Sequence, residues 1–196
     1  GVGIGVGNLA LIHKEQGRYA QSLECLKQSM EISREVGDLL NEGVDWGNLG
    51  EVYSELGRVS EAESALRQAI ALCDPMESSA SGAFRASLAL LLAQQGQRDE
   101  ARSLLETGEP QVASHLHEHV RFLCKKVSVC HLLGDSRGAE EALERARELA
   151  SKLGLAEDSA LGRALAELKT GPSEPTSSES PRPLDEGGAQ ISMSNS

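Results

Sequence analysis

Apolar residues recur along the chain with the period of a helix, and glycines interrupt them at nearly even intervals. The pattern is sharpest between Trp46 and Ala69. Trp46, Leu49 and Tyr53 fall at i, i+3 and i+7, one stripe of a helix. Gly50 sits inside that stripe, where glycine costs about 1 kcal/mol relative to alanine. A helix accepts this where a neighbouring helix must come close. Gly57 suits a left-handed C-terminal cap. Ser60-Glu-Ala-Glu63 reads as a capping box that starts a second helix. The buried stripe of that helix is Ala62, Leu66, Ala69 and Cys73. The pattern predicts two helices closed into a hairpin and packed through the small residues Gly50, Ala62 and Ala69.

The rest of the chain repeats this unit. Gly17, Gly57, Gly96 and Gly134 are the hairpin-closing glycines, spaced by about 40 residues. The predicted repeats run over about 3–37, 43–75, 76–109 and 112–153. The first carries Leu9, Ala10 and His13, then Ser22, Leu26, Ser29 and Met30. Its start is weakened by Gly3, Gly5 and Gly7 and is expected to fray. In the third, Asp74 is the expected N-cap of a long first helix, with Pro75 at its first position and Glu77 as capping glutamate. Arg85, Leu88, Ala89 and Leu92 hold the signature positions. A short second helix, Asp99 to Thr107, is expected to stop at Gly108-Glu-Pro110. The fourth is lined by Leu123, Val127 and Cys130, then by Ala139, Leu143, Ala146 and Ala150. A last helix over 157–169, with Leu161, Leu165 and Leu168, has the place of a solvating cap. From Gly171 the helical period stops, and 171–196 is expected to be a disordered tail.

The stretch from Trp46 resembles the tetratricopeptide repeat (TPR), whose signature is W-x2-L-G-x2-Y, then A, an aromatic, A and P. Trp46, Leu49, Gly50, Tyr53, Ala62 and Ala69 stand at matching offsets, with Gly57 closing the hairpin. Leu66 replaces the usual aromatic, and Pro75 comes one residue late. The period resembles the extended variant found in kinesin light chains and in bacterial, MalT-like signalling proteins, where the linker often reads Gly-Asp, as Gly37-Asp38 does here. The resemblance implies an all-α fold, an α-solenoid of about four helix-turn-helix repeats with a capping helix. It also implies a protein-binding scaffold that holds a peptide or helix in a concave groove. First helices line such a groove. The groove residues it implies are Asn8, Lys14, Asn48, Glu51, Ser87, Gln94, Arg121 and Lys125. Asn8 and Asn48 share one offset. In relatives an asparagine there bonds the main chain of an extended ligand, which suits an amide that both donates and accepts. The same amides equally suit bridging neighbouring helices. Some family members clamp a C-terminal carboxylate. Arg121 and Lys125 match two basic positions of that clamp, but Gly47, Glu51 and Ser87 stand where its other members belong, and no clamp is predicted.

Composition narrows the partners. The net charge of −11 argues against a nucleic-acid backbone or an anionic membrane surface. Aromatics make up only 3%, as expected of helices packed through small residues rather than of a conventional core. Cys25, Cys73, Cys124 and Cys130 form no CxxC pair and are expected to be reduced, in a cytoplasmic setting. The start, Gly-Val-Gly-Ile-Gly-Val-Gly, lacks a basic n-region, so no signal peptide is expected. It opens in mid-pattern, as a fragment would. The alternative function is therefore a regulatory TPR region of a larger bacterial signalling protein, such as a Ser/Thr kinase, cyclase or signal-transduction ATPase. Self-association through the N-terminal repeat is a further expectation.

Candidate chemistry adds little. Gly5-Val-Gly7-Asn-Leu-Ala10 matches a relaxed dinucleotide fingerprint, but no strand precedes it. His115 and His119 stand at i, i+4, with His117 between them. That is the spacing of two metal ligands on a helix, yet no third ligand is evident, and the plain reading is an exposed helix start. No nucleophile elbow, Walker motif or kinase signature appears. No enzyme activity, cofactor or metal is predicted.

Overall fold

The structure, a computed structural model, describes residues 2–168. There is no strand among them. The helices are α1 (Val2–Glu15), α2 (Tyr19–Glu35), α3 (Leu39–Glu55), α4 (Val59–Cys73), α5 (Ser79–Gln94), α6 (Arg98–Val112), α7 (Leu116–Leu133), α8 (Ser136–Lys152) and α9 (Ala160–Glu167). Successive pairs form hairpins, and each second helix packs against the first helix of the next pair. These are the helical hairpins that the hydrophobic period predicts, stacked into the α-solenoid that the resemblance implies.

The hairpins close as the glycines require. Gly17, Gly57, Gly96 and Gly134 have φ of 70°, 69°, 77° and 71°. An L side chain rarely adopts that conformation, so glycine ends each first helix at little cost. At Gly57 the N–H of Arg58 donates to the Tyr53 carbonyl at 2.9 Å, and the glycine N–H donates to the Ser54 carbonyl at 3.0 Å. The same pattern recurs at the other three. This tight turn delivers the chain into α4 at Val59, one residue before Ser60. The expected capping box is therefore absent. Arg58 stands at the N-cap without a side-chain bond, and it instead pairs with Glu61 and lies 4.4 Å over the Tyr53 ring.

Two junctions lack a closing glycine, and there the expected boundaries fail. After α4 the chain makes a 3-10 turn over Asp74–Met76, and Glu77 takes φ of 51°. Pro75 is the middle residue of that turn and does not start a long helix. The helix begins later, where the Ser78 hydroxyl accepts the Ala80 N–H at 3.3 Å. Asp74 is no N-cap. Its carboxylate is gripped by both arms of Arg85, at 2.7 and 2.5 Å, and Arg85 also reaches Gln111 at 2.8 Å. The Arg85 guanidinium holds the Asp74 carboxyl down at about 2. Arg85 thus replaces the tryptophan of the preceding repeat with an ionic tie between hairpins.

The second misjudged boundary is Gly108-Glu-Pro110, through which α6 continues to Val112. Gly108 is a point of close approach, not a stop. A Cβ there would lie 2.9 Å from the Phe122 ring and 3.1 Å from the Gly82 carbonyl. Pro110, near the helix end, gives up only one interior N–H.

Burial follows the stripes with one informative exception. Leu49 is 5% exposed, packed with Val52, Leu26 and Met30, whereas Leu9, its counterpart in α1, is 43% exposed. Helix α2 covers the relevant side of α3, and nothing among the described residues covers the same side of α1. The glycine-rich start, expected to fray, is helical from Val2. Trp46 is half-buried between two apolar clusters, with Arg34 5.8 Å over its ring. The last helix begins at Ala160 rather than near Glu157, because the Ser159 hydroxyl caps it by accepting the Gly162 N–H at 3.0 Å. The tail expected over 171–196 lies outside the described residues.

Candidate functional site

The first helices α1, α3, α5 and α7 stand side by side, and the face they share is hollowed. A cavity of about 310 Å³ is lined by Leu11 of α1, by Val44, Asn48 and Glu51 of α3, by Ser79, Ala80, Ala83 and Phe84 of α5, and by Glu118, Arg121, Phe122 and Lys125 of α7. All four helices contribute, so the hollow is a product of the stacking and not of any single repeat.

Beside this cavity lies a compact ionic cluster. Glu51 accepts from Lys14 at 2.6 Å, from Lys125 at 2.6 Å and from the Ser87 hydroxyl at 2.8 Å, and Lys125 also donates to Ser87 at 2.5 Å. The cluster joins four helices through one carboxylate that is only about a quarter exposed. Burial works to raise the Glu51 carboxyl. The charges of Lys125 and Lys14 outweigh burial and hold it well below the ordinary carboxylate range. Asn48, Ser87 and Lys125 share one register, each at the same offset before Gly57, Gly96 and Gly134. The helical repeat therefore places all three on the same face.

Of the residues implied by the resemblance, Asn48, Glu51, Arg121 and Lys125 line the hollow, and Lys14 and Ser87 join it through Glu51. Asn8, at the Asn48 register, and Gln94 are exposed and are not among its lining residues. Sequence reasoning missed the apolar lining, above all Phe84 and Phe122. The signal was present, since the only two phenylalanines of the chain stand at one offset before Gly96 and Gly134. Phe84 seats on Gly47, where a Cβ would lie 2.1 Å from its ring. Gly47 is therefore a packing position.

Asp45 occupies the register of those phenylalanines one repeat earlier. It is 4% exposed, and its Oδ2 has no hydrogen-bond partner. It meets Gly7 of α1 much as Phe84 meets Gly47, with Oδ1 3.2 Å from where a Gly7 Cβ would stand. Burial pushes its carboxyl up to about 6. The Ser29 hydroxyl opposes the rise, and Asp38 and Glu42 add to it.

The histidine group is not one exposed cluster. His115 is the exposed N-cap of α7 and contacts the Ser114 hydroxyl at 3.0 Å, and His117 is exposed. His119 is buried, with Nε2 3.5 Å from the Glu109 carboxylate of α6, which also takes Lys126 at 2.6 Å. Helical rotation turns His119 into the α6–α7 joint. Among the described residues no group of three or more His, Cys, Asp or Glu could hold a metal ion, and no helix is long and apolar enough to cross a membrane.

Stacked helical hairpins with a hollow on the first-helix face define a helical-repeat scaffold. Tetratricopeptide repeat models match residues 6–74 and 82–107. The chain belongs to the tetratricopeptide repeat family, whose repeats generally mediate protein–protein interaction. Solved structures agree on the fold. BtubC (BKLC) from P. vanneervenii is 16% identical, with a TM-score of 0.59 over 96% of this chain and 70% of that one. A kinesin light chain from Podosopora anserina with nearly identical TPR-like repeats is 21% identical, with a TM-score of 0.58 over 85% of this chain and 84% of that one. No curated protein matches the chain.

Proposed function

We propose that the first-helix face is a protein-binding groove that takes an extended segment or helix of a partner, with one apolar side chain anchored over Phe84 and Phe122. The observation that supports this most is the make-up of the hollow: Leu11, Val44, Ala80, Ala83 and the two phenylalanines give it apolar lining, and Asn48, Glu51, Ser79, Glu118, Arg121 and Lys125 give it polar lining. Such sites draw their energy from a few anchors and their orientation from a few polar contacts. Among the described residues the Asn48 amide bonds to nothing. It is therefore open to a ligand main chain, which needs both a donor and an acceptor. Lys14, Glu51, Ser87 and Lys125 have a different role in this reading. They are engaged with one another, and they hold the four helices at a fixed spacing instead of contacting the ligand.

The test is a peptide selection on the intact chain, followed by calorimetry on the selected peptides. Asn48→Ala with Arg121→Ala removes polar lining contacts without touching the Glu51 cluster, so the circular dichroism stays unchanged. Affinity should fall by about tenfold or more, since each lost charged or main-chain contact is worth about 1–2 kcal/mol. Peptides that bind this variant as tightly as the wild type would move the function off this face.

A further inference from the structure

The turns between repeats lie along one edge of the stack, and at the joint of the first two repeats that edge is apolar. Val36 is 71% exposed at the end of α2, and Leu39 and Leu40, at the start of α3, are exposed beside it. Met76, in the turn that follows α4, is exposed as well. The packing of α3 on α4 brings Met76 to this group. The two helices run antiparallel, and a Cβ on Gly43 of α3 would lie 2.8 Å from the Cys73 sulfur and 3.0 Å from the Leu72 side chain. Leu39-Leu40 stands one turn before Gly43, and the Asp74–Met76 turn comes directly after Cys73, so the two ends meet at the same edge. Each turn is held in place. Arg34 donates to Glu42 at 2.7 Å across the first, and Arg85 grips Asp74 at the base of the second. None of the four apolar residues lines the first-helix hollow.

We propose that this edge is a second protein-docking surface, and that its occupant is an amphipathic helix of a partner, carrying lysine or arginine beside its apolar face. Exposed apolar side chains grouped in this way mark a contact site, whereas single ones do not. The charge around them selects the partner. Glu35 and Glu77 are exposed on the two turns and form no ion pair among the described residues, and the Asp38 carboxylate takes the Asn41 amides and no cation. The cations that hold the two turns are themselves spent, Arg34 on Glu42 and the Trp46 ring, and Arg85 on Asp74. The patch is therefore apolar and anionic. It repels a phosphate backbone or an anionic bilayer, and a second copy, with a net charge of −11, brings more acids than bases to it. A basic amphipathic helix satisfies both halves: apolar contact supplies the binding, and the ion pairs steer and orient it. Because both turns are already fixed, docking orders little of this chain. The surface is separate from the first-helix groove, and the docking stands whether or not that groove binds a partner.

The probe is a helical peptide with leucines on one face and lysines on the other, fluorescently labelled and titrated with the full chain at physiological ionic strength. It should bind, and its counterpart with glutamate in place of lysine should not. Leu39→Ser with Met76→Ser should weaken binding about tenfold or more, since the apolar contacts are the anchors. Glu35→Gln with Glu77→Gln should weaken it about three- to fivefold and flatten its salt dependence. All four residues are exposed, so circular dichroism should match the wild type in both variants. Leu56→Ser with Leu132→Ser, exposed leucines on the opposite edge, should bind the probe as the wild type does. Equal affinity in the wild type and in Leu39→Ser with Met76→Ser would overturn the proposal. So would an equal loss in Leu56→Ser with Leu132→Ser, or tight binding of the glutamate peptide.

Discussion

Asp45→Asn should stabilise this protein at neutral pH, an unusual expectation for a buried residue. Asp45 lies where the two following repeats carry phenylalanine, 4% exposed, with one carboxylate oxygen unpartnered. Its folded-state pKa is raised from 3.8 to about 6, chiefly by burial. In the folded state the proton is held to higher pH than in the unfolded chain. The stabilising contribution is therefore fully present below about 3.8 and is lost as pH rises through about 6. Across that interval the loss is roughly 3 kcal/mol, from 1.36 kcal/mol per pH unit. An asparagine carries no such cost. It does bury an amide N–H2 in place of the unpartnered oxygen, which costs about 1 kcal/mol or more. The net expectation is a variant more stable than wild type by about 1–2 kcal/mol near pH 7.5 and about 1 kcal/mol less stable near pH 4, where the ionisation cost vanishes and the amide cost remains.

Trp46 is the only tryptophan, sits next to Asp45, and reports on the α1–α3 region in which any change must appear. Urea unfolding followed by its fluorescence, at several pH values between about 4 and 8, gives the difference curve directly. Local reporting matters because solenoids need not unfold in one step. A wild-type-minus-variant difference that stays flat from pH 4 to 7.5 would refute the reasoning. So would a wild type that gains on the variant as pH rises, since that is the sign of an ionised Asp45 with a partner.

Glu51→Gln should destabilise by about 1–3 kcal/mol, because Lys14 and Lys125 lose their shared carboxylate; chemical denaturation with Trp46 fluorescence measures it. As the Glu51 pKa is lowered, its contribution is present above the ordinary carboxylate range and fades as pH falls, so the gap to the glutamine variant should narrow in acid. Gly47→Ala should cost about 1–3 kcal/mol by forcing the Phe84 ring off its seat, read as a lowered urea midpoint. Trp46→Ala should cost about 3 kcal/mol, at the lower end for a large core truncation because the indole is half-buried; circular dichroism replaces the lost fluorophore.

What the sequence makes legible follows from where the energetics are local. The helical period, the left-handed glycines and the pairing of Gly50 with Leu66 and Ala62 are all short-range, and each is found where the stripes place it. The junction at Asp74–Ser78 was opaque because its determinant is Arg85, a residue on the next helix that takes the Asp74 side chain away from capping. Gly108 misled for a similar reason: a glycine near a proline reads as a stop, yet here it is the crossing point of α5, α6 and α7. The groove was half legible. Repeat register places Asn48, Ser87 and Lys125 on one face. Nothing in the register says that Lys14 and Lys125, far apart in sequence, would meet on Glu51, because that depends on how tightly the stack turns.

That meeting changes what the proposed groove would select. By sequence, Glu51 looks like an acid that repels anionic ligands and Lys125 like a cation that attracts them. In the folded chain each cancels the other, with Lys14 completing the cluster. An incoming carboxylate would have to displace Glu51 from both lysines, leaving a part-buried acid unpaired, and that exchange offers no net gain. A cationic ligand faces the reverse obstacle. The polar lining groups left to a ligand are the Asn48 amide, Ser79, Glu118 and exposed Arg121, among apolar side chains. Such a surface favours partners by side-chain shape and main-chain hydrogen bonding over net charge. A chain with a net charge of −11 can then present a groove whose specificity is largely independent of that charge.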